Sequence, residues 1–391
     1  MKGDSPWSLI ANLSREDAAH YLDDRKARGF NTLLTSLVEH KFAFNAPNNF
    51  YGDPPFTTPN DFSTPNDAYF AHAEYILAQA RARGFLVLLA PAYLGFEGKD
   101  EGWYQAMRVN GAPKLREYGR YVATRLSRLD NILWVEGGDY DPPDKGLTRA
   151  VAEGIRSVAP EALQTAHCTR DVSALEFWGG EPWLKLNTAY TSDLVVDRCL
   201  HEYAQPERMP FFLIESFYEQ EFGATILTLR TECYGSLLSG ACGHMFGNDP
   251  IWSFDAKGTW GLSWRNALGS PGARAMTQAW RLFSSVRWET LIPDAESLVL
   301  IGGRLAGNDA AAAAFASDGS FGMIYAPTRR TLTVDLARLV GPRVQAQWFD
   351  PSIGVRSAIA GSPFERSKTD FAMPNANAGG QNDWLLLVES V

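Results

Sequence analysis

The stretch Ile132-Leu133-Trp134-Val135-Glu136-Gly137-Gly138-Asp139 decides the architecture. Four apolar residues in a row, closed by a glycine turn, read as a strand buried on both faces, as in parallel sheets. Working outward, residues 114–129 precede it as an amphipathic helix with Leu115, Tyr118, Val122, Leu126 and Leu129 on one face. A second helix over 147–158 and a strand-like segment over 163–167 follow. Strand, helix and strand at this spacing form a βα repeat.

The repeat extends in both directions. Ser14-Arg15-Glu16-Asp17 opens a helix that runs to about Arg28, Gly29 stops it, and the β-rich run 30–38 ends on Glu39-His40. The loop 41–65 is rich in Asn, Pro, Gly and aromatics, and loops of that length usually serve a site. Thr64-Pro65-Asn66-Asp67 predicts another helix with Pro65 at its first position, closed by Gly84 and followed by a strand over 85–90. Further strands are expected at 184–190, 211–215 and 243–248, separated by helices around 195–203 and 225–238, with a last helix over 273–290. These make seven strands, and a closed (β/α)8 TIM barrel needs eight. The opening strand is expected in Met1-Lys2-Gly3-Asp4, before the Pro6-Trp7-Ser8 turn, either very short or with its start missing from this chain.

From Ser297 the texture changes to short β runs at 298–301, 311–315, 321–325, 332–334, 344–349 and 384–388, joined by Gly, Pro and Asp turns. That pattern predicts an all-β sandwich. The expected organisation is an α/β barrel over 1–292 and a small β-sandwich over 293–391, with the boundary near Pro293.

The 391 residues carry a formal charge of −9, which argues against a polyanionic partner such as nucleic acid. No apolar run reaches the roughly 18 residues that cross a bilayer, and Met1-Lys2-Gly3-Asp4 is no signal peptide, so the chain is read as cytoplasmic or as lacking a leader that lies outside it. Four cysteines (168, 199, 233, 242) show no metal-site spacing and read as buried thiols. The 12 Trp, 14 Tyr and 22 Phe exceed what a core needs, and flat aromatic faces are what sugar rings stack on.

Several chemistries find no foothold. His201-Glu202 lacks the second histidine of a zinc helix, Gly261-Leu262-Ser263-Trp264-Arg265 lacks the last glycine of a nucleophile elbow, and there is no phosphate or dinucleotide glycine fingerprint. No metal and no cofactor is implied. Carboxylates remain. Cleaving a glycosidic bond takes one carboxylic acid to protonate the leaving oxygen and a second carboxylate to attack or to activate water. Asp139 follows a strand through two glycines, and Glu215 ends the run Phe211-Phe212-Leu213-Ile214, too apolar to hold a charge except at its end. Each alone could be a capping or salt-bridging acid; two at strand ends of one barrel reinforce each other. Asp141 and Glu136 compete with Asp139, Glu136 more seriously, although its place inside the strand suits a supporting role.

Other strand-end residues are candidate sugar contacts. Asp4, Glu39, His40, Tyr93, His167, Tyr190 and Asn248 could bind hydroxyls, and Trp7, Trp178 and Trp252 could stack on rings, or all could be rim and sealing residues.

The segments Gly3-Asp4-Ser5-Pro6-Trp7-Ser8, Tyr21-Leu22-Asp23-Asp24-Arg25, Arg28-Gly29-Phe30-Asn31, Tyr51-Gly52 with Pro55-Phe56, Trp134 with Gly137-Gly138-Asp139, and Ile214-Glu215-Ser216 resemble the apiosidase-like barrel glycosidases. The resemblance covers nearly the whole chain and implies a C-terminal β domain of the kind described as collagen-binding. It also implies that Asp139 and Glu215 are the catalytic pair. The function expected from it is hydrolysis of a plant or microbial glycan or glycoside, with retention, which would put the two carboxyl groups about 5–5.5 Å apart. A catalytically silent carbohydrate- or collagen-binding protein is the alternative, and a peptidase lacks any nucleophile or metal motif. The β domain is expected to buttress the barrel. The oligomeric state is left open.

Overall fold

The computed structural model describes residues 1–207, 209–255 and 263–391; Gly261 and Leu262, part of the segment weighed above as a nucleophile elbow, lie outside them. Eight parallel strands alternate with eight helices: β1 Lys2–Asp4, α1 Arg15–Ala27, β2 Thr32–Ser36, α2 Asp67–Ala82, β3 Leu86–Ala90, α3 Tyr104–Arg125, β4 Ile132–Gly137 and α4 Gly146–Val158. They continue as β5 Gln164–His167, α5 Ala174–Trp178, β6 Asn187–Tyr190, α6 Val195–Tyr203, β7 Phe211–Glu215, α7 Ile226–Leu238, β8 His244–Asn248 and α8 Pro271–Ser284. The strand order is β5-β4-β3-β2-β1-β8-β7-β6, the order of a (β/α)8 barrel. The short opening strand β1 pairs with β2 in parallel, Gly3 opposite Thr32 and Asp4 opposite Leu33.

Strand β2 is buried along its whole length and pairs with β3 over five residues, from Thr32–Leu86 to Ser36–Ala90. Between β5 and β6 the connection is thinner. There, besides a bridge between Gln164 and Leu184, the hydroxyls of Thr165 and Thr188 donate to the carbonyls of Leu186 and Ala166, each at 2.8 Å.

The helix starts show which polar groups satisfy the first-turn amides. Ser14 Oγ accepts from Asp17 N, as its sequence predicts. At α2 the cap is Asn66, whose side chain accepts from Ala68 N; Pro65 stands before the helix instead of opening it. Helix α3 is interrupted at Gly111 (φ 72°), just before Pro113, so the helix expected from 114 is its second part, and the segment from Tyr104 that precedes the break was not expected.

By internal contacts the chain divides into 1–190 with 247–269, and 191–246 with 270–391. The second unit holds the C-terminal strands β9 Leu291–Pro293, β10 Leu300–Gly302, β11 Ala312–Ala316, β12 Phe321–Ala326, β13 Thr331–Asp335, β14 Arg343–Asp350, β15 Val355–Ala358, β16 Phe364–Glu365, β17 Lys368–Ala372 and β18 Trp384–Ser390. They form two antiparallel sheets, β9-β11-β12-β18-β14-β15 with β16 on β14, and β10-β13-β17. One apolar core joins Ala313, Ile324, Ala346 and Leu386 of the first to Leu300, Leu332 and Phe371 of the second. Two packed sheets with such a core are the expected sandwich arrangement.

The division groups α7 with these strands for a physical reason. Arg230 of α7 forms a double hydrogen bond with the carboxylate of Asp383, Nε to Oδ2 and Nη2 to Oδ1, both 2.7 Å, and both side chains are buried. Tyr325 donates to the same carboxylate, Asn377 donates to its other oxygen, and the rings of Tyr234 and Tyr325 stack at 4.9 Å. Among the described residues no helix is long and apolar enough to cross a membrane.

Candidate active site

In the first unit the geometry gathers around Asp139. After β4 the backbone passes through Gly137 (φ 84°), Gly138 (φ 129°) and Asp139 (φ 50°). The first two conformations suit glycine, and here close approach demands it as well: a Cβ on Gly137 would run into the His167 carbonyl, and one on Gly138 into the Tyr93 ring. A left-handed aspartate is uncommon and persists where its surroundings hold it. Asp139 N donates to His167 Nδ1 (3.1 Å), Gly138 N donates to the His167 carbonyl (2.8 Å), and Tyr93 Oη donates to Asp139 Oδ2 (2.7 Å). The imidazole nitrogen that accepts the Asp139 amide carries no proton, so the neutral ring bears its hydrogen on Nε2.

A chain of rings surrounds this half-buried carboxylate. Trp7 lies 5.6 Å from Tyr93 and 5.7 Å from His167, His167 lies 5.1 Å from Tyr190, and the Arg170 guanidinium sits 5.5 Å from the centre of Tyr190. Trp7, Tyr93, His167 and Tyr190 are thus brought together with Asp139, each from a strand end or the loop after it. Arg170 was missed by sequence reasoning, though its place three residues after His167 in a βα loop was a usable signal.

Other candidates are used differently. The Asp4 carboxylate is fully buried, with its Oδ2 held by Arg25 (2.5 Å) and Tyr21 (2.6 Å), so it presents no exposed face to a sugar hydroxyl. Glu39 is also buried; it accepts from Ser8 Oγ and from the amides of His40, Lys41 and Phe42, and so ties down the start of its own loop. Burial raises its pKa, against the pull of those donors. His40 packs edge-on against Trp103 (4.7 Å) in a separate cleft with Asp61, Asp100 and Gln105. Trp252 donates to Asp249 and lies against Phe42 (5.0 Å), Asn248 is buried at the end of β8, and Trp178 is core, packed on Trp183 (5.4 Å). The strand-end rule finds the rim, but it does not say which way each side chain turns.

Asp141 accepts from Thr169 N, bracing the loop after β5. Glu136 is buried within β4, and burial pushes its carboxyl well above the usual range. A buried acid held neutral in the fold loses its stabilising share as pH rises above about 4.3, where the unfolded chain ionises. Glu136→Gln should therefore be more stable than wild type at pH 8 and show a shallower decline in stability between pH 4 and pH 8. Parallel stability curves in urea titrations would contradict that reading of Glu136.

In the second unit Glu215 is the last residue of β7 and is half-buried, after four buried apolar residues. Its carbonyl accepts from Thr191 N (3.3 Å). The turn after it is held by Phe217 N donating to Glu232 Oε1 (3.0 Å), a carboxyl that burial raises well above its usual pKa.

Residues 1–290 match the family model described as the apiosidase-like catalytic domain. The chain belongs to the apiosidase-like family. Residues 292–389 match a second model, "Putative collagen-binding domain of a collagenase". Among solved structures, a glycoside hydrolase family 5 protein from Bacteroides vulgatus is 21% identical, with 99% of this chain and 88% of that one aligned at a TM-score of 0.87. A second glycoside hydrolase, also 21% identical, aligns over 99% and 92% at 0.85. An endo-1,4-β-D-mannanase from Thermotoga petrophila is 14% identical over 72% and 99% at 0.51. These likenesses speak for the fold. No curated protein matches the sequence.

Proposed function

We propose that this apiosidase-like chain hydrolyses a glycosidic bond in a plant or microbial glycan or glycoside with retention, Asp139 serving as acid/base and Glu215 as nucleophile. The class of reaction follows from the family: the chain is a glycosidase. The observation that carries the assignment is the support around Asp139, a left-handed aspartate fixed by Tyr93 and His167 at the C-terminal end of a barrel strand, where barrel enzymes hold their chemistry. Glu215 ends another strand of the same parallel barrel.

In the first step Asp139 gives its proton to the leaving oxygen while a Glu215 oxygen bonds to the anomeric carbon. Asp139, now a carboxylate, then takes a proton from water, which displaces Glu215 from the same face that the leaving group occupied. Tyr93 and His167 hold Asp139 in place for both steps through their hydrogen bonds to its carboxylate and its amide.

The test is proton NMR of the first sugar released from an aryl glycoside found by screening a panel that includes apiosides, mannosides and arabinopyranosides. Retention of the substrate's anomeric configuration is expected. The opposite anomer would refute the nucleophile role of Glu215 and leave hydrolysis itself standing.

A further inference from the structure

A pocket of about 290 Å³ lies within the second unit, beside the turn that Phe217 and Glu232 hold after Glu215. Its inner wall is the loop after β6, from Ser192 to Leu194, together with Phe217, which stands two residues past Glu215. Loops that follow strands lie on the catalytic face of a parallel barrel, so the pocket belongs to that rim. The first turns of α7 form its floor, and its outer wall comes from the C-terminal sheets, through the turn Gly307–Asp309 and Pro327-Thr328. Asn308 Oδ1 accepts from Leu194 N (3.3 Å), which ties that turn to the barrel loop.

The lining is amphipathic. Leu194, Phe217, Leu227 and Pro327 present apolar surface, while Thr228, Asp193 and Asp309 bring hydroxyl and carboxylate oxygens. Ser192 is 6% exposed, and its hydroxyl has no hydrogen-bond partner among the described residues. A buried hydroxyl left unpaired costs free energy that a bound polar group would recover. Among the described residues no Lys or Arg lines the pocket, which disfavours an anion. Apolar faces with oxygens around them fit a neutral polyhydroxylated ring, and the volume is at the lower end of that of small-ligand sites.

We propose that this pocket is a subsite for a further sugar residue of the substrate, beyond the bond that is cleaved, and that the C-terminal sheets exist in part to build its outer wall. The proposal rests on the glycosidase reading. It gives the β domain a share in substrate choice without requiring it to bind anything alone.

The test uses the full chain and Asn308→Trp, a change at an exposed turn position that fills the pocket from the domain side, with Leu227→Trp as a second filling variant from the helix side. Turnover is measured on the 4-nitrophenyl monoglycoside that wild type accepts and on the matching di- to tetrasaccharides. Calorimetry with mannotetraose, cellotetraose and xylotetraose measures binding independently of turnover. Wild type should favour the longer substrates, and filling the pocket should cut the ratio of kcat/KM for the tetrasaccharide to that for the monoglycoside by about tenfold or more. An unchanged ratio, or equal tetraose binding by wild type and both variants, would overturn the subsite while leaving hydrolysis of the monoglycoside intact. Tetraose binding that is lost in the variants of a chain that hydrolyses nothing would support the subsite and defeat the glycosidase reading.

Discussion

Glu215→Ala is expected to abolish turnover on every aryl glycoside, whereas Asp139→Asn is expected to lose about 10²–10⁴-fold on poor leaving groups and much less on good ones. The difference comes from the roles. A 2,4-dinitrophenolate departs without a proton, so the first step survives the loss of the acid, while no leaving group replaces the nucleophile. Asparagine is chosen at 139 because it tolerates the left-handed backbone and can still accept from Tyr93. Added azide separates the roles again. It needs no general base, so it should rescue the Asp139 variant and give a glycosyl azide of retained configuration. With Glu215→Ala it occupies the space of the missing carboxylate, attacks directly and gives the inverted azide. Wild-type rates in either variant, with unchanged melting temperature, would remove that residue from the mechanism.

The second large effect is on stability. Arg230 and Asp383 are buried and doubly hydrogen-bonded, so removing one partner leaves a charge without compensation. Loss of one member of such a pair costs about 3–5 kcal/mol. Arg230→Ala should therefore lower the urea midpoint of unfolding by an amount corresponding to that range, and Asp383→Ala should do more harm. Its carboxylate also accepts from Tyr325 and Asn377, whose donors would lose that partner as well. Replacing the pair by Arg230→Met with Asp383→Leu should recover the part of the loss that comes from the unpaired charge, while Tyr325 and Asn377 still lack their acceptor. Equal midpoints for wild type and both single variants would show that this contact does not stabilise the fold.

Where a structural rule and a residue pattern coincide, the sequence already displays the outcome. The seven segments read as strands became β2 to β8, most plainly β3 and β7, where Leu86–Ala90 and Phe211–Ile214 are apolar throughout, and Ser14 announces α1 because its side chain has one obvious amide to cap. Strands β15 to β17 escaped notice for the opposite reason. Val355–Ala358 is exposed throughout and carries no alternation, so pairing with β14 makes it a strand where side-chain pattern does not. Helix α5 is five residues long and rests on the Ser173–Glu176 capping box, too short to show a period. At the site, Asp139, Tyr93, His167 and Tyr190 were legible from their places after apolar runs. The true employment of Asp4 and Glu39 was not, since it depends on Arg25 and Ser8, both distant in sequence from the groups they bind.

The joint between β5 and β6 has a mechanical meaning. Strands β2 and β3 share a five-residue ladder, but here two threonine hydroxyls and one bridge hold neighbouring strands, and few bonds need to break for the wall to part. The strands on either side carry His167 and Tyr190, so this is also the joint on which the aspartate's support is mounted. Amide hydrogens flanking that gap are expected to exchange with solvent before those of the β2–β3 ladder.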